Sequence, residues 1–362
     1  MPPISMRIDA NRRIYEILDR CLEGRAPAKQ ECVGLLSLPE QGLEAALLRS
    51  VANEINRRRF GNRAMLLGQI GIETFPCPAN CRFCVFGEDH TQFPKMEMSQ
   101  ADIGEAARLF TAEKDLYALF LMVMHTFDEK HVIQTVEAVR NVVPKSTKIV
   151  LNIGDVTLES AKTFAAAGVS GMYHVLRLRE GIDTKLDPED RKKTIRAIKD
   201  AELDWYYCCE PVGPEHTAEE LAEQIFLGLE YECFQHAAMR RVTFPGSPLS
   251  KKGMISELRL AQIVAVTMLA MISNPTLQAI AVHEPNSLGL ISGANSVYAE
   301  TGANPRDTSE DTKRGRGLNT LACKRMFTET GFDSVYNAYN EVFEIQLYPC
   351  SSSPPSIRFH SE

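Results

Sequence analysis

Eight times between residues 64 and 330 the chain repeats one pattern, a short apolar run followed by an amphipathic helical stretch. The runs are 64–72, 119–124, 148–153, 171–178, 203–209, 240–244, 277–282 and 296–299. Apolar runs of this length, bounded by glycines, prolines and polar turns, read as buried strands. The stretches between them start at good helix-initiating residues, among them Ser99, Asp128, Thr157 and Pro188. Strands alternating with helices build a parallel sheet, and eight such pairs over roughly 250 residues is the size of a closed (β/α)₈ barrel. The expected fold is therefore α/β, a TIM-type barrel whose strand ends share one face, and chemistry belongs on that face.

Ahead of the barrel, residues 1–62 read as a helical extension. Ile14, Ile17, Leu18 and Cys21 fall at helical spacing, and Leu43, Leu47, Leu48 and Val51 line one face of a later helix. Residues 63–335 are the expected barrel. Residues 336–362, which include Ser351-Ser352-Ser353-Pro354-Pro355, read as a C-terminal tail. The charge is −7, from 40 Lys and Arg against 47 Asp and Glu, and the one basic run is Arg57-Arg58-Arg59. That balance argues against a nucleic-acid partner. No apolar run is long enough to span a membrane, and the first residues do not read as a secretory signal. The ten cysteines are then expected as reduced thiols or metal ligands in the cytoplasm. Monomer and homodimer are both compatible with the sequence.

The loop after the first run is Cys77-Pro78-Ala79-Asn80-Cys81-Arg82-Phe83-Cys84. Three thiolates so close together can wrap one metal centre and leave a fourth position open. In a [4Fe–4S] cluster that vacancy is an iron available to an outside ligand. A zinc site made of Cys77, Cys81, Cys84 and His90 is the competing reading, and buried structural cysteines are a third. Cys21, Cys32, Cys233 and Cys323 fall on helical patterns and read as packing. Cys350 lies in the tail.

The pattern Cys-x₃-Cys-x-aromatic-Cys resembles the signature of radical S-adenosylmethionine (SAM) enzymes. With the helical lead-in, Phe60-Gly61-Asn62-Arg63 and Gly293-Ala294-Asn295-Ser296, it is similar to their biotin synthase-like branch. That branch includes biotin synthase, an [FeFe]-hydrogenase maturase and methylornithine synthase. The resemblance implies that Cys77, Cys81 and Cys84 ligate a [4Fe–4S] cluster and that SAM chelates its fourth iron. It also implies that Phe83 packs near the adenine, that Glu180 contacts SAM and that Arg191 meets the SAM carboxylate. The plain alternatives are a surface turn for Glu180 and a solvated helix position for Arg191. Two departures stand out. Met124-His125-Thr126 replaces a glycine-rich turn that approaches the SAM amine, and the second and third runs lack the cysteines that hold an auxiliary cluster in biotin synthase. Of Cys208 and Cys209, alternation allows only one to face a barrel lumen.

Polar residues at the expected strand ends are candidates for substrate contact. They are His125, Asn152, Asp155, His174, Arg177, Tyr207, Glu210, Arg240, Arg241, Thr243, His283, Glu284 and Asn286, with Glu300, Asn304, Arg306 and Asp307 at the mouth. Arginine recognises a carboxylate through a two-pronged fork. By the resemblance, Arg240 or Arg241 with Glu284 would read an amino acid; His283, Asn286 and Tyr207 are expected as further contacts from their places at the strand ends. A polar, proline-terminated loop is the alternative for residues 283–286.

The expected function follows. An electron from a low-potential donor such as flavodoxin or ferredoxin reductively cleaves SAM, and a 5′-deoxyadenosyl radical takes hydrogen from a small polar, amino-acid-like metabolite. Rearrangement or fragmentation then follows. Sulfur or carbon insertion in cofactor biosynthesis is the runner-up. A non-redox zinc or iron–sulfur scaffold is a rival of another class, and a hydrolase using His283 and Glu284 is a weaker one, because adjacent strand residues point apart.

Overall fold

The computed structural model describes residues 11–90, 95–244, 246–300 and 317–345. Three helices come first: α1 (Arg12–Leu22), α2 (Lys29–Leu36) and α3 (Leu43–Phe60). Gly61 ends α3 in the left-handed region, with φ 65°, and turns the chain into the sheet. Eight parallel strands follow: β1 (Arg63–Gly71), β2 (Ala118–Met122), β3 (Lys148–Asn152), β4 (Gly171–Tyr173), β5 (Asp204–Val212), β6 (Gln235–Arg240), β7 (Ala279–His283) and β8 (Ser296–Ala299). Each pairs with the next, and β8 returns to β1 through Met65↔Ser296, so the ring is closed. The fold is the expected (β/α)₈ barrel.

The connecting helices are α4 (Gln100–Thr111), α5 (Glu129–Arg140), α6 (Leu158–Ala166), α7 (Pro188–Asp200), α8 (Ala218–Glu230), α9 (Glu257–Ala270), a single turn α10 (Ser287–Leu290) and α11 (Thr320–Glu329). Each begins on a side-chain cap: Ser99, Asp128, Thr157, Asp187, Thr217, Ser256, Asn286 and Asn319 accept from backbone N–H groups of the first turn. These caps satisfy donors that a helix start leaves open. Since α10 is one turn, α3 covers the gap beside it. Asn56 of α3 donates to the Gly293 carbonyl at 2.7 Å, and Arg59 donates to the carbonyls of Met271 and Ile272 at 3.1 Å.

Two boundaries differ from the sequence expectation. The sixth strand is Gln235–Arg240, not 240–244. Its Gln-His-Ala-Ala core has weak strand preference, and Val242-Thr243-Phe244, which looks more strand-like, lies in the loop beyond. The stretch read as the start of a tail is partly sheet. Ser334–Tyr336 (β9) pairs with the beginning of β1, and Val342–Glu344 (β10) pairs antiparallel with β9. Strands of three residues are too short to register as periodic. Residues 346–362, Cys350 among them, lie outside the described residues, as do Asn304, Arg306 and Asp307.

The alternation of β5 orders the interior. Tyr206, Cys208 and Glu210 face the lumen. The Tyr206 ring lies 5.1 Å from Phe120, and Cys208 bonds Tyr173 and Glu210. Trp205, Tyr207 and Cys209 face the helix layer. Phe120 also meets Tyr298 edge-on at 4.9 Å, which gives the lumen an aromatic floor. No helix among the described residues is long and apolar enough to cross a membrane.

Candidate active site

The cysteine loop leaves the end of β1. Cys77 N–H donates to the Phe86 carbonyl at 2.6 Å, and Glu88 N–H returns to the Cys77 carbonyl at 3.1 Å. Inside this clasp Asn80, with φ 46°, accepts from Asp89 N–H and donates to Glu88. Neighbouring loops hold the outer side. Lys185 N–H donates to the Ala79 carbonyl and Arg82 N–H to the Asp183 carbonyl. The Arg82 side chain pairs with Asp183 at 3.0 Å, and Ser247 donates to the Arg82 carbonyl at 2.9 Å. All three cysteines line one cavity of about 290 Å³ at the C-terminal mouth of the barrel.

The surroundings of the thiols suit thiolate ligands of a cluster. Burial pushes Cys81 up to about 12, and the Arg177 guanidinium pulls the other way. Burial also raises Cys77, against hydrogen bonds from the Ala79 and His125 backbone N–H groups. Those N–H groups and that cation stabilise sulfur once metal displaces its proton. A single-ion site fits less well. Among the described residues no three His, Cys, Asp or Glu side chains gather around one point. His90 directs Nε2 to the Cys84 carbonyl at 2.7 Å and stacks on Phe244. A cubane cluster sets its three thiolates on three different irons and needs no such convergence.

Phe83 lines the cavity beside the cysteines. Arg191 also lines it and is buried, so it is no solvated helix arginine. Its guanidinium donates to the Val175 carbonyl through Nε (3.1 Å) and Nη2 (2.8 Å), and to Asp155 through Nη1 (2.9 Å). Glu180 is buried rather than part of a surface turn. It accepts from Arg177 N–H at 2.9 Å and from the Thr184 hydroxyl at 2.7 Å, and lies 3.6 Å from Arg191. Its carboxylate therefore stands behind Arg191, off the cavity wall. Asp155 also faces His174 at 3.4 Å and His125 at 3.9 Å. Burial lowers the affinity of both imidazoles for a proton, with Asp155 opposing the effect at His125.

The expected substrate residues divide. Arg241 and His283 line the cavity. Arg241 is forked onto Glu215 at 2.5 and 3.0 Å, and His283 stacks on Tyr298 at 4.3 Å. Arg240 lies off the cavity wall, paired with Glu257 at 3.3 Å and Glu284 at 3.7 Å. Asn286 caps α10 through Gly289 N–H. Tyr207 is not in the lumen at all. Its hydroxyl accepts from Gln224 of α8 at 2.6 Å, because its strand position has the parity of Trp205 and Cys209. Asn152, Arg177, Glu210 and Glu300 do line the cavity. Gln69, Tyr173 and Tyr298 line it too and were missed, since aromatic and amide residues inside a strand read as packing.

No family model matches the chain. In sequence it is 25% identical over 289 residues to the biotin synthase of Rhizobium rhizogenes, covering 75% of this chain and 86% of that one. In fold it is similar to methylornithine synthase, with TM-score 0.74 at 17% identity over 87% of this chain and 96% of that one. It is also similar to the [FeFe]-hydrogenase maturase HydG from Carboxydothermus hydrogenoformans, with TM-score 0.71 at 16% identity over 91% and 81%. In sequence the chain is thus similar to the biotin synthase-like branch of radical SAM enzymes, and its fold agrees. That similarity supports a [4Fe–4S] cluster and SAM as the cofactors. In this barrel the cysteine triplet lies over the lumen, so a group bound there faces the space between the triplet and the aromatic floor.

Proposed function

We propose that this enzyme abstracts hydrogen from a small polar, amino-acid-like metabolite and completes a rearrangement or fragmentation. Cys77, Cys81 and Cys84 hold the cluster. SAM bound there supplies the 5′-deoxyadenosyl radical that takes the hydrogen. Phe83 packs against the adenine, while Arg191, Asp155 and Glu180 brace the wall that SAM lies against. The substrate enters from the mouth and rests on Phe120, Tyr173 and Tyr298. Enclosure by the barrel keeps water and solvent oxygen from the reacting carbon. The enzyme works in the cytoplasm with a low-potential one-electron donor of the flavodoxin or ferredoxin type.

One observation favours rearrangement over sulfur insertion. The positions on β2 and β3 that approach the cavity are Phe120, Met122 and Asn152, not thiols. The lumenal Cys208 is fully buried and bonded to Tyr173 and Glu210. An auxiliary cluster needs several thiolates, and these strands offer none.

The test is anaerobic reconstitution with iron and sulfide, then SAM and dithionite, with 5′-deoxyadenosine read by mass spectrometry. The expected result is iron for one [4Fe–4S] cluster per chain and 5′-deoxyadenosine that depends on the triplet. Iron for two clusters would support the insertion chemistry instead. Zinc with no SAM cleavage would support a scaffold.

A further inference from the structure

Three arginines line the cavity, and they differ in what their guanidinium groups still have to offer. Arg191 is engaged by the Val175 carbonyl and Asp155 on both edges. Arg241 is forked onto Glu215 and reaches the Gly253 carbonyl as well. Arg177 is different. Its Nε lies 3.4 Å from Glu210 Oε1, and its two Nη groups have no acceptor among the described residues. The side chain is enclosed by protein, and its remaining exposure, 23%, is toward the cavity it lines. Burial alone would weaken its hold on the proton, but Glu210 and Glu180 outweigh that and make it a permanent cation. A largely enclosed guanidinium with open donors facing a cavity is stabilised by an anion that fills them.

Its partner is equally well placed. Glu210 lines the same wall from the next strand, and the Tyr173 hydroxyl donates to its Oε2 at 2.6 Å. Each carboxylate oxygen has two lone pairs, so both retain capacity for a further donor. One wall therefore presents a cation and an anion side by side, over a floor of Phe120 and Tyr298.

We infer that Arg177 and Glu210 together read the zwitterionic head of an α-amino acid. The guanidinium takes the carboxylate and Glu210 takes the ammonium. An ion pair is a dipole, and a zwitterion laid antiparallel to it buries no net charge. A carboxylic acid without the amine leaves an extra negative charge beside Glu210, and an amine without the acid leaves an extra positive charge beside Arg177. Buried and desolvated, either mismatch is strongly disfavoured. The recognition point thus lies on the segment after β4 and on β5. Arg240 and Glu284, expected in that role on β6 and β7, are paired with each other away from the cavity wall.

This assignment rests on the radical reading of the same site, and its test separates the two. The reconstituted holoenzyme is given SAM, dithionite and a mixture of uniformly deuterated α-amino acids. Parallel reactions receive deuterated carboxylic acids lacking the amine, or amines lacking the carboxylate. Deuterium in 5′-deoxyadenosine is expected from the amino acids and at least tenfold less from either analogue set. Glu210→Gln and Arg177→Lys are expected to cut deuterium transfer at least tenfold, while unlabelled 5′-deoxyadenosine still forms and SAM still perturbs the cluster's electron paramagnetic resonance signal. Transfer from the analogues equal to that from the amino acids would overturn the inference, and needs no variant to fold. So would undiminished transfer in both variants. If both variants lose the SAM-induced signal with their cluster content intact, the zwitterion held by this pair is SAM's own methionyl end, and the substrate assignment falls. Wild-type protein that makes no 5′-deoxyadenosine refutes the radical reading and this inference with it.

Discussion

A Cβ on Gly154 would lie 1.9 Å from the carbonyl oxygen of His125. The loop after β3 thus touches the loop after β2 at a point where no other residue fits. The N–H of the same residue, in the preceding peptide, reaches Cys77, so the contact positions the Cys77 thiol from behind. Gly154→Ala should displace the His125 peptide and cost about 1–3 kcal/mol, as overpacking does. Iron content after reconstitution should fall more than thermal stability would suggest. Equal loss of iron and stability would mean the contact is only structural.

Replacing Cys77, Cys81 or Cys84 with Ala should lower 5′-deoxyadenosine by at least about a hundredfold, since two thiolates hold a cubane poorly. Cys208→Ala should leave iron content unchanged. A variant of Cys208 that lost half its iron would point to a second cluster. Iron assay and the charge-transfer absorbance of the cluster decide between these.

His236 faces α8 from the outer side of β6, close against Gly228. Burial drives its imidazole down to about 4, with hydrogen bonds to the Ala237 and Ile225 carbonyls working partly against this. The unfolded chain titrates near 6.5, about as a free imidazole does. Between those values the unfolded chain holds a proton that the folded chain lacks, so stability falls as the pH falls. The contribution should be intact above about pH 6.5 and lost progressively toward pH 4, by roughly 3 kcal/mol. Urea unfolding of the cluster-free chain across that range measures it. His236→Asn should flatten the pH profile, and an unchanged slope would rule His236 out as its source.

Tyr207→Phe separates wall from scaffold. Loss of its bond to Gln224 should lower stability by about 1 kcal/mol and leave 5′-deoxyadenosine formation unaltered. A marked rise in substrate KM would mean that Tyr207 reaches the lumen after all.

Much of this was legible in the sequence. Strand–helix alternation foretold the barrel, capping residues placed the helix starts, and the spacing of Cys77, Cys81 and Cys84 pointed to a loop whose three thiols line one cavity. What could not be read was orientation. Tyr206 and Tyr207 are chemically alike and adjacent, and only the register of β5 decides which one meets Phe120. Arg177, Arg191 and Arg241 all end near one cavity, yet their partners are Glu210 on β5 and Asp155 and Glu215 on two separate loops. Side-chain pairing across such distances leaves no local pattern. The sixth strand was misplaced for a related reason, because Ala237 and Ala238 are held in sheet by their neighbours and not by intrinsic preference.

The ring closes late. Ser296 donates to the Met65 carbonyl across 231 residues, and β9, near residue 335, pairs with the first residues of β1. The cysteine loop depends on distant partners as well, since Ser247 anchors Arg82 from 165 residues away. During synthesis the three thiols leave the ribosome long before the loops that clasp them exist, and until then nothing shields them from oxidation or from stray metal ions. Assembly therefore has an order: β1 waits for β8, and a cluster on the triplet would have a seat only once most of the barrel has been made. If the triplet holds a cluster as proposed, a cell must keep the nascent thiols reduced through that interval and bring iron and sulfide to a chain that has nearly finished folding.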